Sequence, residues 1–349
     1  MKFMNVKNII ISITVLLTAV SGQTTYNVSG VVELGDQTGS SADHSGVKVK
    51  FYNLPSMVAE DSTASASTGA YSINISPGYY LVEWTKTGYV PWELGGLVLT
   101  ANTVLEDVTM IPGSVQEVSG TINTTTWTTG YVYYVTDDIT VPSGQTLTIN
   151  AGVRVKFSSG KGMTVNGTLI ANGTASSRII FTSRESVPAL GDWDRIYMHG
   201  TNNQLSYFDY LYAANSLRVD GSNTTTSTTI DNGYFANLGP EAYGIYMYYG
   251  GGETISNNNI TVAGSNRAIY SNHTDNISIT GNTINAEYGI EVDNATGIYI
   301  DSNSIEAERW GIHYDQSGQN GRGGKISNNT ITGMLKEYGI YSQPNYAHG

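Results

Sequence analysis

Short runs of alternating apolar and polar residues fill the chain, and in its last third the alternation becomes periodic. An apolar residue, two small or polar residues, an Asn, one further residue and an Ile recur from Ile255 to Ile260, Ile279 to Ile284, Ile300 to Ile305 and Ile326 to Ile331, with Asn258, Asn282, Asn303 and Asn329 at the fixed position. Eight to eleven residues past each Asn, a second phrase ends in Ile269, Ile290, Ile312 or Ile340. The repeat is 21 to 26 residues long. A unit that small cannot bury its own apolar face, so the pattern predicts a solenoid whose coils share one core. Stacking sets like residues above one another at the ~4.8 Å strand spacing. An Asn turned inward at a corner then donates to one neighbouring coil and accepts from the other. A ladder of such amides satisfies polar groups that the bend would bury unpaired.

Upstream the pattern divides. Residues 26–111 carry alternating runs such as Val47 to Phe51 and Tyr71 to Ile75, with Pro77-Gly78 turn chemistry feeding Tyr79 to Val82. Turns every eight to twelve residues predict a small β-sandwich there. Residues 112–118, within the Pro112-Gly113-Ser114 stretch and after, read as a linker, and from 119 the solenoid pattern takes over. Ile139 to Val141, Leu147 to Ile149, Val153 to Phe157 and Met163 to Val165 are short strands between turns such as Pro142-Ser143-Gly144. Leu205, Ile230 and Ile255 step at 25 residues and join this region to the Asn-bearing coils. At this period roughly nine coils fit between Gly130 and Ile340.

The Asn-bearing phrases resemble the repeats of the right-handed parallel β-helix (pectate-lyase-like) superfamily. Ile139 to Ser183 is similar to the N-terminal coils of secreted bacterial β-helix proteins. In order, Gly30-Val31, Gly46-Val47, Gly69 with Tyr71, Gly78-Tyr79, Gly88-Tyr89 and Leu105 to Met110 resemble a carboxypeptidase regulatory-like domain, a prealbumin-type β-sandwich. The expected fold class is therefore all-β, a right-handed parallel β-helix solenoid over 119–349 preceded by a small prealbumin-like β-sandwich. Such sandwiches are mostly spacers, and their wider fold group includes carbohydrate-binding modules. Trp84, Trp92 and Tyr89 are accordingly either core and edge packing or a sugar platform. The β-helix superfamily holds lyases, hydrolases, adhesins and non-enzymatic surface proteins, so the fold alone names no chemistry.

Composition narrows the setting. Lys2 and Lys7, an apolar run from Ile9 to Val20, and Ser21-Gly22 form a signal-peptide pattern over residues 1–22. No later run approaches a membrane span, so a secreted or cell-surface protein without a transmembrane segment is expected once the signal is removed. There is no Cys, so stacked strands rather than disulfides must hold the fold. The formal charge is −12, and basic residues are scarce. That disfavours nucleic acid, and it disfavours polyanionic sugars unless bound Ca²⁺ intervenes. The chain stops nine residues past Ile340, which suggests a piece of a longer reading frame.

Aligning the coils locates a candidate site. With Ile245, Ile269, Ile290, Ile312 and Ile340 inward, the next residues point outward: Tyr246, Tyr270, Glu291, His313 and Tyr341. Two residues on, a second outward row reads Tyr248, Asn272, Asp293, Asp315 and Gln343. A third row at the turn reads Tyr243, Arg267, Tyr288, Trp310 and Tyr338. Aromatics beside carboxylates suit a polysaccharide track, and Glu291 with His313 are candidates for a general acid and base. Equally, aromatic and polar ladders stack in a β-helix for stability alone. Asp293 over Asp315 is a like-charge pair that Ca²⁺ would relieve, with Asn272 or Gln343 supplying neutral oxygens. The hydrolase signatures of this superfamily are missing: the sole Asp-Asp is Asp137-Asp138, outside the repeated coils, and there is no Arg-Ile-Lys. Binding of a polysaccharide or cell-surface glycan without catalysis is the leading expectation. A lyase or hydrolase using Glu291 and His313, and a structural adhesin or stalk, are the alternatives.

Overall fold

The structure is a computed structural model that describes residues 25–343 apart from 55, 57, 186, 222–225, 265, 316–323 and 334–335. The expected signal peptide at 1–22 lies outside the described residues. Every regular element among the described residues is a β-strand. No helix there is long and apolar enough to cross a membrane. The chain forms two compact units that divide at Met110 and Ile111, with residues 87–90 belonging to the second.

The first unit consists of two four-stranded sheets. In one, Tyr26–Leu34 pairs antiparallel with Ala70–Ile75 and parallel with Thr103–Val104 and Val108–Met110. In the other, Lys48–Asn53 lies between Val58–Ala64 and Gly78–Thr85, and Trp92–Leu99 follows Gly78–Thr85. The alternation read in the sequence sends Val28, Val32, Val49, Phe51, Tyr80 and Trp84 inward, all essentially without exposure. Tyr71 of the first sheet meets Trp84 of the second edge to face at 6.3 Å, and Phe51 meets Tyr80 at 6.2 Å. Trp84 is therefore core rather than a platform, whereas Trp92 is half-buried.

The second unit is a parallel β-helix with three faces. Its first face is a nine-stranded parallel sheet from Thr125–Trp127 to Lys325–Ser327, one strand per coil, so eight full turns separate its ends. The second and third faces join into a 16-stranded sheet, because long strands such as Tyr131–Val141, Thr283–Asp293 and Ser304–Asp315 bend around the corner between them. One element departs from expectation. Residues 112–118 are not a free linker: Ser114–Thr121 is a strand paired parallel with Tyr131–Val141, so the β-helix begins ahead of residue 119. Pairing there covers the backbone groups that the first coil's edge would otherwise leave open. One coil is also longer than the period, because residues 184–195 insert between Ile179–Ser183 and Ile196–Met198. Trp193 of this insertion is wholly buried, stacks on Phe157 at 4.2 Å and donates its indole N–H to Leu211 O at 2.7 Å.

The Asn ladder closes the corner between the first and second faces. Asn258, Asn282 and Asn303 are buried and Asn329 is half-buried. The Oδ1 atoms of Asn282, Asn303 and Asn329 each accept from the backbone N–H and the Nδ2 of the preceding Asn at 2.9 Å, and Asn258 Oδ1 accepts from the Gly233 backbone N–H at 2.8 Å. Each Nδ2 also donates back to an Ile carbonyl of the preceding coil, for example Asn282 to Ile255 O at 3.0 Å. The residue just before the ladder position is left-handed in every coil: Asn257, Gly281, Ser302 and Asn328 have φ of 54°, 65°, 58° and 53°. Gly and Asn adopt that conformation most cheaply, which explains their recurrence there. Gly289 recurs for a different reason: a Cβ on it would lie 2.2 Å from Gly311 O of the next coil.

Candidate functional site

The third face carries the aligned rows in the expected register. Ile245, Ile269, Ile290, Ile312 and Ile340 are successive partners, and so are Tyr246, Tyr270, Glu291, His313 and Tyr341. Tyr248, Asn272, Asp293, Asp315 and Gln343 form the second row. The first column reaches further back than the repeat pattern reveals, through Arg218 to Tyr197. Those two residues lack the Asn phrase in their coils, and only a three-dimensional register could add them.

Most ring faces in the column are already in use. The Arg218 guanidinium lies 4.8 Å from the Tyr197 ring centre and 4.9 Å from that of Tyr246. Tyr246 and Tyr270 stack at 5.1 Å with an 11° tilt. Tyr341, at the far end, is 39% exposed.

Glu291 departs most from the sequence reading. It occupies the outward register but is only 5% exposed. Arg267, from the turn row, donates Nε to Glu291 Oε2 and Nη2 to Oε1, the latter at 3.2 Å. Tyr270 and Tyr288 flank that guanidinium, with ring centres 5.2 and 5.5 Å away. The outward direction is thus fixed by strand parity, while burial is decided by a long side chain folding over from the corner. The turn row itself stacks as aligned, Arg267 on Tyr288, Tyr288 on Trp310 and Trp310 on Tyr338.

Asp293 is half-buried and accepts from the Tyr270 hydroxyl at 3.2 Å. Burial, and next the neighbouring charge of Glu291, push its carboxyl up to about 6. Burial also raises the Tyr270 hydroxyl. Asp293 and Asp315 are register partners, as the like-charge reading requires. The expected neutral ligand is differently engaged, however. Asn272 donates to the Tyr270 hydroxyl at 2.9 Å, and its Oδ1 faces His273 Nδ1. The side chain of Gln343 lies outside the described residues. The group that converges is instead Glu291, Asp293 and His313, whose ligand atoms lie within 4.8 Å of one another. Arg309, beside Trp310 of the turn row, pairs with Glu337 and with Glu287 at 3.7 Å.

A family model described as a pectate-lyase like beta helix domain matches residues 120–332, more than half of the chain. Protein bark beetle of Drosophila melanogaster is 50% identical over 48 residues, which is 14% of this chain and 2% of that protein. A type II cohesin–X-dockerin complex from Acetivibrio cellulolyticus is similar over 25% of this chain and 58% of the solved chain, at 24% identity and a TM-score of 0.23. The Bacillus anthracis TIE protein is similar over 28% of this chain and 20% of its own, at 10% identity and a TM-score of 0.21. The chain thus spans only a small part of the curated relative, and less than two thirds of either solved structure.

Proposed function

We propose, for a chain that belongs to the pectate-lyase-like β-helix family, that the column Tyr246, Tyr270, Glu291, His313 and Tyr341 binds a neutral or weakly charged glycan at a cell surface or outside the cell. The observation that carries this reading is the unbroken register from Tyr197 to Tyr341, which lines aromatic and polar side chains along one face at the ~4.8 Å strand spacing. Because ring faces are occupied by neighbours, recognition proceeds mainly through hydrogen bonds to sugar hydroxyls, with Tyr341 as the accessible ring. The net charge of −12 turns away polyanions. Export through a signal peptide at 1–22 belongs to the same reading. So does a carboxypeptidase regulatory-like spacer at 26–111.

A second reading has one observation in its favour. Asp293, raised to about 6 beside Glu291, has the protonation behaviour of a general acid near neutral pH. Glu291 itself, forked to Arg267 and closed from solvent, suits the acid–base role less well. A glycan array with the purified chain, in chelator, separates these. Binding should be modest and weakly salt-dependent, and it should weaken in Tyr341→Ala and Tyr270→Ala without unfolding. Loss of turnover in Asp293→Asn with retained binding would establish the enzyme reading. An array with no neutral polysaccharide bound would overturn the track and leave a structural stalk.

A further inference from the structure

We propose that Glu291, Asp293 and His313 form a binding site for a divalent transition-metal ion of the zinc type. The three side chains come from two adjacent coils, and their ligand atoms lie within 4.8 Å of one another. Glu291 and Asp293 project from one strand two residues apart, and His313 sits directly above Glu291 in register.

An independent observation points to a ligand. His313 Nδ1 is closed from solvent and has no hydrogen-bond partner. It faces Glu291 Oε1 at 4.0 Å, too far for a hydrogen bond. A ring with its proton on Nε2 would turn an Nδ1 lone pair toward that carboxylate oxygen, the arrangement that a cation between the two would use. A buried polar atom left that way is costly, and a cation between the two removes the cost. The rings of Trp310 and Tyr341, centred 5.5 and 5.1 Å from the imidazole, hold it in that orientation.

The donor set decides which ion. One imidazole nitrogen with two carboxylates favours zinc, cobalt or nickel over calcium, which takes six to eight oxygens. Tetrahedral ligands at ~2.0–2.1 Å from zinc lie about 3.4 Å apart, so small side-chain rotations close the present spacing. This site goes beyond glycan binding and is tested without any sugar present.

The test is calorimetric titration of the metal-free chain with Zn²⁺ and, separately, with Ca²⁺, accompanied by Co²⁺ absorption spectra. One Zn²⁺ should bind per chain, with a Co²⁺ spectrum typical of a nitrogen and oxygen site. His313→Gln and Asp293→Asn should each raise the Zn²⁺ Kd by at least about tenfold, while His273→Gln leaves it unchanged. Circular dichroism of the metal-free variants checks that each is folded; if one is not, the other carries the test. No Zn²⁺ binding by the parent chain, unchanged affinity in the folded variants, or tighter binding of Ca²⁺ than of Zn²⁺ would each overturn the proposal.

Discussion

Replacing Asn303 by Leu removes one rung of the amide ladder while keeping its bulk. Asn303 Nδ2 donates to Asn329 Oδ1 and Ile279 O at 2.9 Å and to Asp301 O at 3.2 Å. Its Oδ1 accepts from the backbone N–H and the Nδ2 of Asn282, both at 2.9 Å. The five bonds do not count equally. Asn282 Nδ2 keeps Ile255 O, and Asn329 Oδ1 keeps the Asn303 backbone N–H. The Asn282 backbone N–H has no second acceptor among the described hydrogen bonds, and Asn282 is wholly buried. One buried donor left without a partner costs ~1–3 kcal/mol, and weakened satisfaction of the carbonyls adds ~1 kcal/mol, giving about 2–4 kcal/mol in all. For a domain of this size each kcal/mol moves the melting temperature by ~2–4 °C, so a drop of roughly 4–16 °C is expected. A solenoid can open coil by coil, so calorimetry should be paired with hydrogen exchange at the Asn282 amide, which should lose protection. Asn329→Leu is the internal control. It too takes away the acceptor of a backbone N–H, that of Asn303, but Asn329 is half-buried, water can reach the gap, and the loss should be smaller than for Asn303→Leu. A melting temperature within about 1 °C of the parent, with the Asn282 amide still protected, would refute the claim that the ladder bears on stability.

Two further predictions rest on single side chains. Asp293 has its carboxyl raised from 3.8 to about 6 in the folded chain, so folding takes up a proton there; its contribution is complete below about pH 4 and is lost as the pH climbs through 6. In chelator, Asp293→Asn should therefore flatten the decline in melting temperature across that window and leave the variant the more stable above it, and parallel curves would contradict the assignment. Trp193→Ala should cost ~3–5 kcal/mol by emptying the space against Phe157 and Tyr210, measurable by denaturant unfolding, and a cost under about 1 kcal/mol would mean that the inserted segment is dispensable.

The sequence by itself determined the solenoid, the coil register and the ladder. A parallel strand has a period of two and a parallel coil repeats its side chains in place, so counting from Ile245, Ile269, Ile290, Ile312 and Ile340 was enough to stack Tyr246, Tyr270, Glu291, His313 and Tyr341. The same parity gave the inward Asn positions, because a corner residue that repeats in every coil meets only copies of itself. The tertiary structure decided what parity cannot reach. Long side chains leave their own row, so Arg267 crosses from the turn to cover Glu291, and Arg218 inserts between Tyr197 and Tyr246. Those movements turned an exposed acid into a buried one and took ring faces away from solvent. Strand pairing at Ser114–Thr121 was equally invisible, since a linker and an edge strand share the same polar, turn-rich composition until a partner strand lies beside them. Direction along a strand is local and periodic, whereas burial and charge pairing depend on neighbours from other coils, and only folding brings those together.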